Sequence, residues 1–221
     1  MLRQAIRKLP GVPLLIKLNT QFEDWWFDWR NGTDTAPNRA AQASWGWETD
    51  RNNHTYVPVR PKTARRILNA LPLENPSEYA FIDFGCGKGR LLLLAMALPF
   101  RDVVGIELRP ELCDLAARNL KVHRKAAIRK TACINTNALD FEFPNEKLVL
   151  YFFNPFGEEI MRAVLENLGR SLNSNFRDVI VVLDTPIYAR VADVMPHLAF
   201  VKEGYGYRIY RSRDTRIRSA A

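Results

Sequence analysis

The sequence predicts a single α/β domain built on a mostly parallel sheet, preceded by a Trp-rich N-terminal extension. Three observations lead there. From about residue 60 onward, short apolar runs alternate with amphipathic stretches, the βαβα pattern of a parallel sheet. A glycine-rich turn stands where the first of these apolar runs meets a Leu-rich stretch. The last two apolar runs flank Gly204 and Gly206 and suit an antiparallel hairpin at the edge of the sheet. With 221 residues and 47% hydrophobic content, the chain has room for one such domain with a real core and a small accessory segment.

Taken in order, PKTARRILNAL predicts a helix, YAFIDF a strand, and KGRLLLLAMAL a helix ending near Pro99. DVVGIEL follows as a strand. PELCDLAARNLKVH is a helix with Pro110 in its first turn and Leu112, Leu115, Ala116 and Leu120 on one face. KTACIN predicts a short strand, KLVLYFF a fully buried one, and EEIMRAVLENL a helix stopped by Gly169. DVIVVLD is a further buried strand, followed by a short helix around residues 187–194, and HLAFVKEGY with YRIYRSR forms the hairpin. Residues 1–55 differ: their apolar and aromatic residues, including all five tryptophans, show no sustained period and surround the polar loop NGTDTAPNRAAQ. The expected organisation is an extension or lid over 1–55, the main domain over 56–211 and a basic tail over 212–221.

The net charge of +8 sits at the ends. Residues 1–20 carry Arg3, Arg7, Lys8 and Lys17 with no acid, and residues 204–221 carry five arginines against Asp214, so each end is +4 and residues 21–203 balance to zero. The middle of the chain therefore offers no basic groove for nucleic acid. The ends could touch nucleic acid or an anionic membrane, although solvated tails are the simpler expectation. Cys86, Cys113 and Cys133 are odd in number and lack CxxC spacing, which suggests neither a disulfide framework nor a zinc site and favours a cytoplasmic setting. His54, His123 and His197 are scattered, so no metal centre is expected. Pro10 and Pro13 interrupt the apolar N-terminal stretch, against a secretory signal, and no apolar run is long enough to span a bilayer.

The chemistry concentrates in Asp83-Phe84-Gly85-Cys86-Gly87-Lys88-Gly89-Arg90. A dinucleotide fingerprint would need glycine where Arg90 stands, and a P-loop would need Ser or Thr after Lys88, where Gly89 stands. What remains is GxGxG preceded by an acid two positions earlier. Glu107 ends the next strand, 18 residues beyond Gly89, where a carboxylate can accept both hydroxyls of a ribose. Asn137-Ala138 lies in the loop after KTACIN, and Asn154-Pro155-Phe156 follows KLVLYFF; both turns fall at carboxyl ends of strands, where open α/β sheets bind ligands.

This set resembles the class I S-adenosylmethionine-dependent methyltransferases, whose first motif reads acid-x-G-x-G-x-G. The resemblance implies a Rossmann-like, seven-stranded sheet and S-adenosyl-L-methionine as cofactor. It gives Gly85, Cys86, Gly87 and Gly89 the methionine moiety, Asp83 the turn and the cofactor's amino group, Glu107 the ribose, and Leu108 the adenine face. Asn137, with Ala138 after it, stands where the family carries an acid for the adenine amine, so either Asn137 or Asp140 takes that part. Asn154-Pro155-Phe156 is similar to the Asp/Asn-Pro-Pro-Tyr/Phe turn of amino-methyltransferases, and Tyr56 with Pro58 to a Tyr-x-Pro of some seven-stranded protein-lysine methyltransferases. Asn154, Pro155, Phe156 and Tyr56 are therefore the candidate catalytic residues, and a nitrogen acceptor on a protein lysine or other amine is the first expectation. Transfer to oxygen or carbon of a small metabolite or to a nucleobase, and a regulatory protein that binds the cofactor without catalysis, are the alternatives.

Overall fold

A computed structural model describes residues 12–38, 56–122 and 128–215. Helix α1 (Val12–Asn31) precedes α2 (Pro61–Leu68), whose entry is set by Pro61 in the first turn, where a missing N–H goes unnoticed. The sheet then builds from β1 (Ala80–Phe84), α3 (Arg90–Ala95), β2 (Asp102–Glu107), α4 (Pro110–Val122), β3 (Lys130–Asn135), β4 (Leu148–Phe153), α5 (Glu158–Ser174), β5 (Val179–Asp184), α6 (Ala189–Asp193), β6 (Leu198–Gly204) and β7 (Tyr207–Ser212).

The strand order is β3-β2-β1-β4-β5-β7-β6, parallel from β3 to β5, with β7 antiparallel to β5 and β6 antiparallel to β7. β1, β2 and β5 are buried along their whole length, as strands covered by helices on both faces must be. One apolar layer joins α2, α3 and α4 to one face of the sheet, and the other joins α5 and α6 to the opposite face. The chain leaves β1 for β2 and β3 on one side and returns to β4 on the other. This reversal opens a crevice at the carboxyl ends of β1 and β4, where the site lies.

Three elements differ from expectation. The extension is not irregular over residues 12–31: it forms the 20-residue α1, in which two superposed helical sets, one apolar and outward, one mixed and inward, hid the period. α3 ends at Ala95; the Ala97 and Leu98 amides then bond three residues back to Leu94 and Ala95, a tightening that Pro99 forces by excluding a further turn. α5 runs through Gly169 to Ser174. Gly169 is buried, and a Cβ there would stand 2.6 Å from Nδ1 of His197, so this glycine admits a ring and does not end a helix.

Candidate active site

The turn after β1 is shaped by its glycines. Gly85 adopts φ 71° and Gly87 φ 55°, in the left-handed region that side-chain-bearing residues avoid. Space forbids a side chain as firmly as the dihedral does: a Cβ on Gly85 would meet Pro155 Cβ at 2.6 Å, and one on Gly87 would meet the Tyr56 ring at 2.2 Å. The Gly85 and Cys86 amides both donate to the Ile106 carbonyl, at 2.8 and 3.1 Å, fastening the turn to β2.

Glu107 completes that attachment. Its Oε2 accepts from the Gly87 amide and its Oε1 from the Arg109 amide, each at 2.9 Å, while burial holds its carboxyl above the usual range. Two backbone donors leave about two acceptor positions of the carboxylate free. Asp83, at the end of β1, is 4% exposed, and no hydrogen bond reaches its carboxylate from the described residues. Burial, and then the Glu107 charge, push it well above the ordinary carboxylate value. It borders a small hollow shared with Tyr56, Cys86 and Arg90.

Beside this hollow a cavity of about 450 Å³ opens, within the size range of small-molecule sites. Gly85, Gly87 and Glu107 line one part, Leu108 and Leu112 an apolar wall, and Asn137 and Ala138, after the neighbouring β3, continue it. Asn137 lines the cavity while its side-chain oxygen caps the next turn by accepting from the Leu139 amide at 3.0 Å; Asp140 does not line it. Asn154, Pro155 and Phe156 form the far end. Asn154 has φ 45°, and Thr185, after β5 and on the same cavity, has φ 56°. Strained backbone held at two adjacent strand ends is a mark of functional sites. Phe156 is anchored edge-on to Phe152 with ring centroids 6.1 Å apart.

An unpaired buried carboxylate beside a turn that a Cβ would fill, and a second acid with spare acceptors at the next strand end, fit an ammonium and a ribose held across β1 and β2. Residues 81–175 match the model of the methyltransferase domain family. The chain has the class I, Rossmann-like methyltransferase fold.

The methyltransferase fold recurs in a dimethyladenosine transferase from Plasmodium falciparum, with TM-score 0.54 at 13% identity over 75% of this chain and 66% of that one. The release factor glutamine methyltransferase of Vibrio cholerae is 42% identical over 66 residues, 29% of this chain and 23% of that protein. A Dictyostelium discoideum histone-lysine N-methyltransferase specific for H3 lysine-79 is 25% identical over 126 residues, 52% of this chain and 7% of that protein. The chain thus spans less than a quarter of either curated relative's length.

The structure of this methyltransferase domain gathers Asp83, Gly85, Cys86, Gly87, Glu107, Leu108, Asn137, Ala138, Asn154, Pro155, Phe156 and Tyr56 around one crevice. Gly89 instead packs on Ala116 of α4. Tyr56 packs its ring against the turn with its hydroxyl donating to the Thr35 carbonyl at 2.8 Å, and burial raises the pKa of its phenol. None of residues 12–38, the described part of the extension, lines the cavity, whereas Tyr56 and Val57 at the start of the main domain do.

Residues 12–38 are drawn elsewhere by two buried cations. Arg90, 2% exposed, donates to Asp24 and to Thr35 Oγ1, and Lys88, 1% exposed, to Asp34 and the Ala36 carbonyl. Charges so deep require partners, and these come from the extension. Nothing local in the sequence pairs them; a lysine and an arginine in a glycine turn suggest solvated side chains. The cysteines, distant in sequence, also converge: the thiols of Cys86 and Cys133 lie 3.4 Å apart across Gly105, where a Cβ would meet Cys86 Sγ at 2.4 Å. His197 is the buried neighbour of Gly169, whereas His54, His123, Trp45 and Trp47 lie outside the described residues.

Proposed function

We propose that this chain is an S-adenosylmethionine-dependent methyltransferase that methylates a nitrogen, on a protein side chain or another amine. The observation that carries the reading is the placement of Asn154. It closes the cavity at the end opposite Leu108 and Asn137, and its left-handed backbone turns it away from the path of β4. S-adenosylmethionine, when bound, supplies a methyl already activated by a sulfonium, so the protein need contribute little besides alignment and dryness.

Asp83 would hold the ammonium, Glu107 the ribose hydroxyls, and Leu108 with Ala138 the adenine. Asn154 would accept a hydrogen bond from the acceptor's N–H through its side-chain oxygen, aiming the nitrogen lone pair inward. Pro155, seated on Gly85, ties this turn to the cofactor's turn, so the two halves of the site keep a fixed spacing. The printed name of the Dictyostelium relative also specifies a nitrogen acceptor. Incubating the protein and a cell extract with methyl-labelled cofactor tests the reading. Label on a nitrogen supports it, label on oxygen or carbon moves the acceptor, and no transfer with intact cofactor binding leaves a binding protein.

A further inference from the structure

The outward face of α1 has no part in the site, yet its composition is unusual. At about 100° per residue, Leu14, Leu15 and Leu18 and the four rings of Phe22, Trp25, Trp26 and Trp29 fall within one arc of about 120°, with no polar residue among them. Every one is exposed; Trp29 is 64% and Leu15 66% open. The rings support each other at centroid distances from 5.1 Å for Trp26–Trp29 to 6.4 Å for Phe22–Trp26. An exposed apolar strip of this length is a contact surface awaiting a partner.

The opposite face fixes how the strip is presented. Thr20 accepts from Arg60 at 2.8 Å, Asp24 pairs with Arg90, and Asp28 receives the Thr35 and Ala36 amides. Phe27 is buried beneath the Arg90 guanidinium, 5.0 Å from its ring centroid. Of the helix's three acids, Asp24 is thereby spent on the domain and Asp28 on the loop that follows the helix, and the third, Glu23, accepts from Asn19. The flanks of the strip keep exposed Lys17 and Arg30, and the preceding sequence adds Arg3, Arg7 and Lys8 with no acid.

We propose that α1 seats this methyltransferase on an anionic membrane surface, with the leucines and rings in the interface and the cations against acidic headgroups. Tryptophan, phenylalanine and leucine over a basic flank is the chemistry of helices lying in the interface plane. No helix among the described residues is long and apolar enough to cross a bilayer, so the helix lies on the surface. Charge argues against a second copy of this chain. A parallel pairing of two strips would oppose their basic leading segments, and an antiparallel one would set each against Arg30, cation against cation either way.

The test is flotation of the full-length protein with vesicles of phosphatidylcholine, alone or with about 30% phosphatidylserine. We expect binding to the mixed vesicles only, weakened by salt, and at least about tenfold less bound protein for the double variant Trp25→Gln, Trp29→Gln. Circular dichroism and cofactor titration certify that this variant is folded, and they are independent of vesicle binding. The proposal is overturned by any of four results: no flotation, equal binding to neutral vesicles, binding that the double variant leaves intact, or a dimer by sedimentation velocity that the double variant dissolves.

Discussion

The carboxylate of Glu107 accepts the Gly87 amide at 2.9 Å, so the acid at the end of β2 and the central glycine of the turn after β1 are one mechanical unit. Glu107 therefore braces the turn from its own strand end and offers its remaining lone pairs to the cavity. Removing it should act on both. Glu107→Ala is expected to weaken S-adenosylmethionine binding by about 1–3 kcal/mol by titration calorimetry. Unchanged affinity would mean the acid is a turn brace alone.

Gly87 permits no conservative replacement. Gly87→Ala would impose a Cβ at φ 55° and 2.2 Å from the Tyr56 ring, so Tyr56 must leave or the turn must open. Expected are a stability loss of about 1–3 kcal/mol in denaturant unfolding and loss of detectable cofactor binding. Partial rescue of stability by the added change Tyr56→Ala would locate the conflict in that ring.

Asp83 links affinity to pH. Its folded pKa is raised by burial and by Glu107, so the folded domain keeps a proton that the unfolded chain releases above the ordinary carboxylate value of about 3.9. The associated stability is complete below that value and disappears as pH climbs through the raised one. A ligand ammonium favours the ionised form, so cofactor binding should release protons in that window, measurable by calorimetry in buffers of different ionisation enthalpy. Asp83→Asn should melt higher than wild type at neutral pH and yet bind the cofactor more weakly.

Asn154 should matter to turnover far more than to cofactor affinity. Because Ala at φ 45° adds strain of its own, Asn154→Gly is the cleaner variant. Its rate at saturating cofactor should fall roughly ten- to a thousandfold, the scale of a lost positioning contact. Wild-type turnover with an intact fold would make the turn structural and remove the main support for a nitrogen acceptor.

Arg90 and Asp24 couple the extension to the domain. Arg90→Met leaves Asp24 buried without its partner and should cost about 3–5 kcal/mol of stability. Adding Asp24→Leu should recover much of the loss, the mark of a pair whose worth lies in matched burial. Thermal unfolding of the two variants measures both.

The sheet was legible from residue 60 onward because its strands are buried on both faces and read as unbroken apolar runs between amphipathic helices. The turn after β1 was legible too, since glycines at 85 and 87 beside a strand end mark a tight left-handed turn, and both take positive φ. The helical period of α1 was present at Leu14, Leu18, Phe22, Trp25 and Trp29. It went unseen because its apolar stripe faces outward and its inward acids look like a polar face.

What only the tertiary structure decided are the relations between distant residues. Gly169 looks like a helix stop until His197 occupies the space beside it, and Lys88 and Arg90 look solvated until Asp34 and Asp24 arrive from 54 and 66 residues away. Composition and period report what each residue prefers on its own segment. Which charge neutralises which, and which glycine is empty for a neighbour's sake, depends on packing between elements that no local pattern records.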